Sequence, residues 1–193
     1  MEKLIALLRS FAPLSAELKD HLYDIVTDRV FKKRAKIQEP GQVCRHIWFI
    51  ESGIIRIYHL DEKGREKTDW LLKAGDLFIA TDSFFSGKPS MYYIEPLEDT
   101  KVWGTSHDKL QNTILRFPEF CVHQILIDSH YRNLKDDRHN ILDPMSSKGR
   151  LKWFFQTEPY LAKRVPAAII YSYLGFTASS LRKKFAAGNR EDK

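Results

Sequence analysis

Cysteine is scarce: Cys44 and Cys121 are the only two in 193 residues, far apart and set among apolar neighbours. That excludes a disulfide framework and a four-thiolate iron–sulfur centre, and predicts buried free thiols in a reducing cytoplasm. Long apolar runs are absent as well, so no membrane span and no membrane partner are expected. The opening MEKLIALLRSFAPLS has helical spacing, with neither a continuous apolar stretch nor a small-residue cleavage site, and a cytoplasmic location is expected. Nine glycines and eight prolines are scattered, which excludes fibrous and low-complexity chains. Catalytic signatures are missing too. There is no His pair with a nearby Glu for a metal, no phosphate-binding glycine loop and no GxSxG elbow. The sequence therefore assigns no catalytic residue, no metal and no cofactor, and the protein is not expected to be an enzyme.

What is present is unevenly placed. From Lys148 to Lys193 there are ten Lys or Arg against three acidic residues, whereas residues 1–147 carry 21 basic and 22 acidic side chains. All of the net charge of +6 thus comes from the last quarter. A polyanion-binding module joined to a neutral domain has this asymmetry, and so does a merely solvated basic face.

Helical periodicity predicts helices over Glu2–Phe11 and from Ser15 to about Arg29, with Ser15 as N-cap. From about Val30 to Ser106 the pattern turns to short β-branched and aromatic runs. Turn residues punctuate them at Glu51–Gly53, Asp61–Gly64, Lys73–Asp76 and Pro96–Asp99, which reads as an antiparallel roll or sandwich. Ser106 can cap a helix ending near Phe117-Pro118. A long helix follows from Glu119 to about Asn140, with Phe120, Val122, Ile125, Leu126, Ile127 and Leu134 as its apolar positions. Its stripe needs a cover, either a second copy of itself or its own roll; Val122, Ile125, Leu126 and Ser129 are the expected dimer-helix residues. Asp143-Pro144 ends it, and further helices are expected over Ser147–Thr157, Val165–Leu174 and Thr177–Ala187.

In VPAAIIYSYLGFTASSLRKKF, running from Val165 to Phe185, Ile169, Ile170, Tyr173 and Leu174 make one apolar surface. Gly175 can take the positive φ of a helix stop, and Thr177 can cap the next helix. Leu181 and Phe185 then face the first helix, leaving Ala178, Ser179, Arg182 and Lys183 outward, a small, polar and basic face suited to base edges and phosphates. From these residues alone, an ordinary helical hairpin that touches no nucleic acid is the better reading.

Three segments together resemble the cyclic-AMP receptor protein and anaerobic-regulator (Crp/Fnr) family of bacterial transcription regulators. They are IWFIESGIIRIYHLDEKGREKTDWLLKAGDLF, the long helix, and YLGFTASSLRKK. The resemblance spans almost the whole chain and is most specific at Trp48–Gly53, Gly64-Arg65-Glu66 and Ala74-Gly75-Asp76. It implies an α+β fold with three parts: a double-stranded β-helix (jelly-roll) sensor domain over residues 1–118, a dimerisation helix over 119–143, and a small all-α helix-turn-helix domain over 144–193. It also implies double-stranded DNA and a second copy of the chain as partners, with Thr177, Ala178, Ser179, Ser180, Arg182 and Lys183 at the DNA.

The sequence also departs from that family. Where cyclic-nucleotide-binding members carry Gly-Glu for the ribose and Arg-Ser for the phosphate, GDLFIATDSFFSGKPSMYY has Ala80-Thr81 and Ser90-Met91. Both anchors are gone, Lys88 sits in a turn sequence, and a buried phosphate needs a fixed cation. No response to cyclic AMP is therefore expected. The candidate effector-pocket residues are Ala80, Thr81, Phe84, Phe85, Lys88, Ser90 and Met91, around a site filled by side chains or open to an apolar or aromatic effector yet to be identified. Against the family's recognition helix, Ser179 replaces a Glu suited to cytosine and Lys183 an Arg suited to guanine, and Ala186–Lys193 is too short for the two-stranded wing. A ligand-binding or protein-interaction module with a degenerate, wingless helix-turn-helix is the alternative these departures leave open.

Overall fold

A computed structural model describes residues 1–176. Two helices open the chain, α1 (Glu2–Phe11) and α2 (Ala16–Ile25), and Ser15 caps the second by accepting from the Leu18 amide at 3.1 Å. Helix α2 stops four residues before the expected Arg29. Thr27–Phe31 forms strand β1 instead, paired with the chain's last strand, because Val26 is extended and buried. A mostly exposed strand carries no alternation of burial, so its pattern reads as the frayed end of a helix.

The remaining strands are β2 (His46–Ser52), β3 (Ile54–Leu60), β4 (Glu66–Lys73), β5 (Leu77–Phe78), β6 (Tyr93–Pro96) and β7 (Thr100–Ser106). They form two antiparallel sheets, β1-β7-β2-β5 and β4-β3-β6, which face each other as a roll. Phe49, Ile50, Ile55, Ile94 and Val102, each at most 2% exposed, fill the space between them. Truncating one such side chain to Ala costs about 2–5 kcal/mol.

The turn between β2 and β3 explains the Ser-Gly of the sequence pattern. Gly53 has φ +110, and a Cβ built there would stand 2.3 Å from Thr100 Oγ1, so only glycine lets this turn pass the start of β7. At the next turn, Gly75 donates to the Ile50 carbonyl and Asp76 Oδ2 accepts from the Lys73 amide at 2.8 Å.

After β5 comes a short helix α3 (Thr81–Ser86), and after β7 comes α4 (His107–Arg116), capped by Ser106 through the Lys109 amide. The long helix α5 runs Phe120–Leu142, and Asp143-Pro144 follows its end. Beyond it are α6 (Ser147–Thr157), α7 (Pro159–Arg164) and α8 (Ala167–Tyr173). Helix α7 has no counterpart in the sequence reading: it is six residues long, started by Pro159 at its first turn and too short to show a period. Gly175 takes φ +72 and ends α8 as expected.

These C-terminal helices gather a second core from Leu142, Phe154, Leu161, Val165, Ile170, Leu174 and Phe176. Ile54 and Leu71 join it from the outer face of the β4-β3-β6 sheet. The helical module is seated on the roll, and strand β4 is shared between both cores.

Candidate functional site

The two sheets do not close on themselves at the end where β5 and α3 meet α5. A chamber of about 130 Å³ remains there, and most of its wall is apolar, including Ile57, Trp70, Leu72, Leu110 and Ile127. Its polar wall groups are few. Tyr131 accepts from the Leu77 amide at 2.7 Å, while Thr81 and Gln124 face the chamber with no side-chain hydrogen bond among the described residues. Burial, together with the carboxylate of Asp76, pushes the Tyr131 phenol well above its ordinary value, so it stays a neutral hydroxyl.

An adjoining cavity of about 270 Å³ shares Trp70, Thr81 and Tyr131 and leads outward past charged groups. Part of that charge is matched: Arg132 donates to Asp128 one turn earlier on α5, and His59 Nδ1 is 2.6 Å from Asp69 Oδ2, while Asp82 and Lys135 have no ion pair among the described residues. The mouth is polar and the chamber behind it is greasy. Phe85 on α3 is 48% exposed and lines the chamber alone of the two spaces.

The expected pocket residues separate. Thr81 and Phe85 line the chamber, and Ala80 lines the adjoining cavity. Phe84 is a core residue at 1% exposure and packs into the roll. Lys88, Ser90 and Met91 line neither space. Lys88 is exposed and its carbonyl accepts from Ser83 Oγ, Met91 is 62% exposed, and buried Ser90 spends its hydroxyl accepting from the Tyr92 amide at 3.0 Å. The physical reason is the αL turn at Gly87, which ends α3 and carries the chain away from the chamber. Trp70, Gln124, Ile127 and Tyr131 went unnoticed in sequence because they converge from β4 and α5 without any local motif.

Helix α5 has two faces. Phe120, His123, Ile127 and Tyr131 seal the roll, His123 being buried with Nε2 3.2 Å from the Ala12 carbonyl. Val122, Ile125, Leu126 and Ser129 are exposed on the other side, with Ile125 at 67%. The helix therefore covers its own roll with one stripe and leaves the other uncovered.

On the outer side of β4 the helical module is stitched to the roll by polar contacts. Ser172 Oγ accepts from the Thr68 amide at 2.9 Å and donates to the Glu66 carbonyl at 2.8 Å. Lys73 Nζ meets Glu158 at 2.5 Å, and Arg164 grips Glu98 Oε2 through two nitrogens at 3.0 and 2.7 Å. The Arg138 guanidinium sits 5.6 Å from the Trp70 ring and 4.4 Å from the Tyr173 ring. Trp70 is thus chamber wall on one side and part of the seat of α8 on the other.

The six residues expected at DNA, Thr177, Ala178, Ser179, Ser180, Arg182 and Lys183, lie outside the described residues. Among the described residues no helix is long and apolar enough to cross a membrane.

Residues 28–117 match the cyclic nucleotide-binding domain family. Among solved structures the chain is similar to a protein from Eubacterium rectale assigned to the Crp/Fnr family, at 18% identity and TM-score 0.71, covering 92% of this chain and 85% of that one. It is similar to the c-di-GMP responsive global regulator CLP of Xanthomonas campestris, at 14% identity and TM-score 0.67, over 90% and 93% of the two chains. The catabolite activator protein of Thermus thermophilus matches at 17% identity and TM-score 0.58, over 96% and 88%. No curated protein matches in sequence. The chain has the fold of these proteins, with a cyclic nucleotide-binding-like roll over residues 28–117.

Proposed function

We propose that this protein is a dimeric, DNA-binding transcription regulator of the Crp/Fnr type, cytoplasmic, without enzymatic activity and unresponsive to cyclic AMP. The observation that carries the reading is the division of labour along α5. One stripe closes the sensor roll, the opposite stripe of Val122, Ile125 and Leu126 is left exposed, and the helix leads into the helical module, whose helix α8 stops at Gly175. An exposed apolar stripe on a long helix is economically covered by its own copy about a two-fold axis, which sets two helical modules side by side. Residues 177–183, in the basic last quarter of the chain, would then follow α8 as the reading helix, with Arg182 and Lys183 on base edges or phosphates.

The cyclic AMP part of the reading is supported by the chamber. Among the described residues its wall has no Arg or Lys, and Ser90, expected where the family has its phosphate anchor, accepts from the Tyr92 amide. An unpaired buried phosphate would be strongly unfavourable there.

The test combines sedimentation with fluorescence anisotropy over a salt series, using duplexes drawn from upstream regions of the source genome. A dimer that discriminates between duplexes, with Ile125→Asp monomeric and binding weakened, supports the reading. A monomer that binds no duplex at low salt defeats it. Calorimetry with cyclic AMP is expected to show no heat of binding.

A further inference from the structure

We infer that the chamber between the roll and α5 is a binding site for a small uncharged aromatic molecule of one or two rings carrying a single hydrogen-bonding group. The inference deepens the regulator reading by giving the effector a chemical class. Three features of the chamber lead there.

Its size comes first. At about 130 Å³ it is close to the roughly 150 Å³ apolar cavity known to stay dry and take up benzene. By itself it is too small for a base, a ribose and a phosphate together, and the further space of the adjoining cavity, about 270 Å³, lies among charged groups outside the apolar wall. An aliphatic chain would fit the volume, yet Trp70 and Phe78 contribute flat walls that match a ring better.

Charge comes second. Asp128 alone is a charged residue on the chamber wall, and Arg132 already holds it, so neither an anion nor a cation finds a free counter-charge inside. Burying an ion without a partner costs far more than a ring of this size recovers.

The third feature is polar capacity left unused. Thr81 and Gln124 bring a hydroxyl and an amide to the wall with no side-chain hydrogen bond among the described residues, and Tyr131 accepts from Leu77 while its own proton is uncommitted. A mostly apolar pocket with a few convergent polar groups is how small-ligand sites are built. One hydroxyl or ring N–H on the ligand would meet Gln124, and the rest would rest on Ile57, Leu72 and Ile127. Trp70 then makes the site more than a void, because its outer side supports Arg138 and, through it, Tyr173 of α8.

The probes are phenol, indole, benzene and cyclic AMP, added to the full chain and followed by methyl resonances of Ile57, Leu72 and Ile127 and by thermal midpoint. Phenol and indole are expected to shift these methyls and raise the midpoint, and cyclic AMP to do neither. Ile127→Trp should abolish the shifts by filling the chamber. Gln124→Leu, which leaves the core intact, should weaken phenol by about tenfold, the loss of roughly one neutral hydrogen bond, while benzene is unchanged. The inference is overturned if neither phenol nor indole moves the methyls at millimolar concentration, or if cyclic AMP moves them. It is also overturned if the folded Ile127→Trp protein still responds, or if Gln124→Leu binds phenol and benzene in the wild-type ratio. The readout is the chamber itself. A chain that takes the ring but no duplex sinks the regulator reading alone, and one that takes duplex with an empty chamber sinks this inference alone.

Discussion

Leu71 and Leu72 are neighbours on strand β4, of one residue type, each 5% exposed. They live in different surroundings. Leu72 points into the roll and lines the chamber, whereas Leu71 points outward into the core of the helical module. The inner side keeps space and has polar groups to spare; the outer side is filled and its polar groups are paired, Ser172 with two backbone groups of β4 and Arg164 twice with Glu98. A strand with one loose face and one tight face can move on the loose side at little cost, and what it moves is bolted to the other. The contrast can be broken in several ways.

The largest effect should come from Phe154, fully buried in the outer core. Phe154→Ala is expected to cost about 3–5 kcal/mol, falling on the helical module. Hydrogen exchange should show the amides of 147–174 losing protection while the roll keeps its own; uniform loss would mean that the two cores are one cooperative unit.

Next is the leucine pair itself. Leu71→Ala should cost about 2–4 kcal/mol, and Leu72→Ala roughly 1 kcal/mol less, because a side chain on a chamber wall gives up fewer contacts. Equal losses in denaturant titrations would imply that both sides are equally filled.

Arg138 bridges the contrast. Its Nη1 is buried with no hydrogen-bond partner among the described residues, so the ring contacts to Trp70 and Tyr173 must offset an unsatisfied donor. Arg138→Met keeps the bulk and removes both terms, and its stability is expected within about 1 kcal/mol of wild type. Ring binding in the chamber should then no longer alter exchange rates in α8, which tests the bridge separately from stability.

The smallest effects separate the two ends of β4 by pH. Asp76, in the turn after the strand, is pushed above the ordinary carboxylate value by burial. The folded form therefore prefers it protonated: its stabilising share is complete below the unfolded value near 3.8 and is lost as pH rises through the folded value. Asp76→Asn should raise the melting temperature at neutral pH, with no gain at pH 3. Asp61, in the hairpin before the strand, is held down to about 2 by Arg65 and by backbone amides. Its share is present above 3.8 and disappears as pH falls toward 2, so Asp61→Asn should lower the melting temperature slightly at pH 7 and leave it unchanged at pH 2.

Sequence pattern reached the roll, the long helix and the caps at Ser15 and Ser106 because each is signalled locally, by glycine turns, by a periodic stripe or by a hydroxyl one residue before a helix. Strand β1 and helix α7 escaped it, the one exposed and unpatterned, the other too short. Of the pocket, only the segment around α3 was within reach. Phe84 and Phe85 are indistinguishable as letters, yet a helical turn sends one into the core and the other to the mouth. The chamber's decisive residues, Trp70, Gln124 and Tyr131, come together only when α5 is laid across the roll, and nothing in their own neighbourhoods announces that.

The serine that joins α8 to β4 bears on solubility as well as on packing. Strand β4 is an outer strand of its sheet, and Thr68 N–H with Glu66 C=O is the sort of unpaired backbone that recruits strands from other molecules. With α8 in place that surface is plugged. Were α8 displaced, the plug would leave with it, and the charged Glu66, Lys67, Asp69 and Lys73 along the strand would be what remains to discourage chain-to-chain pairing. A variant that loosens α8, such as Ser172→Ala, is therefore expected to be more aggregation-prone than the parent chain.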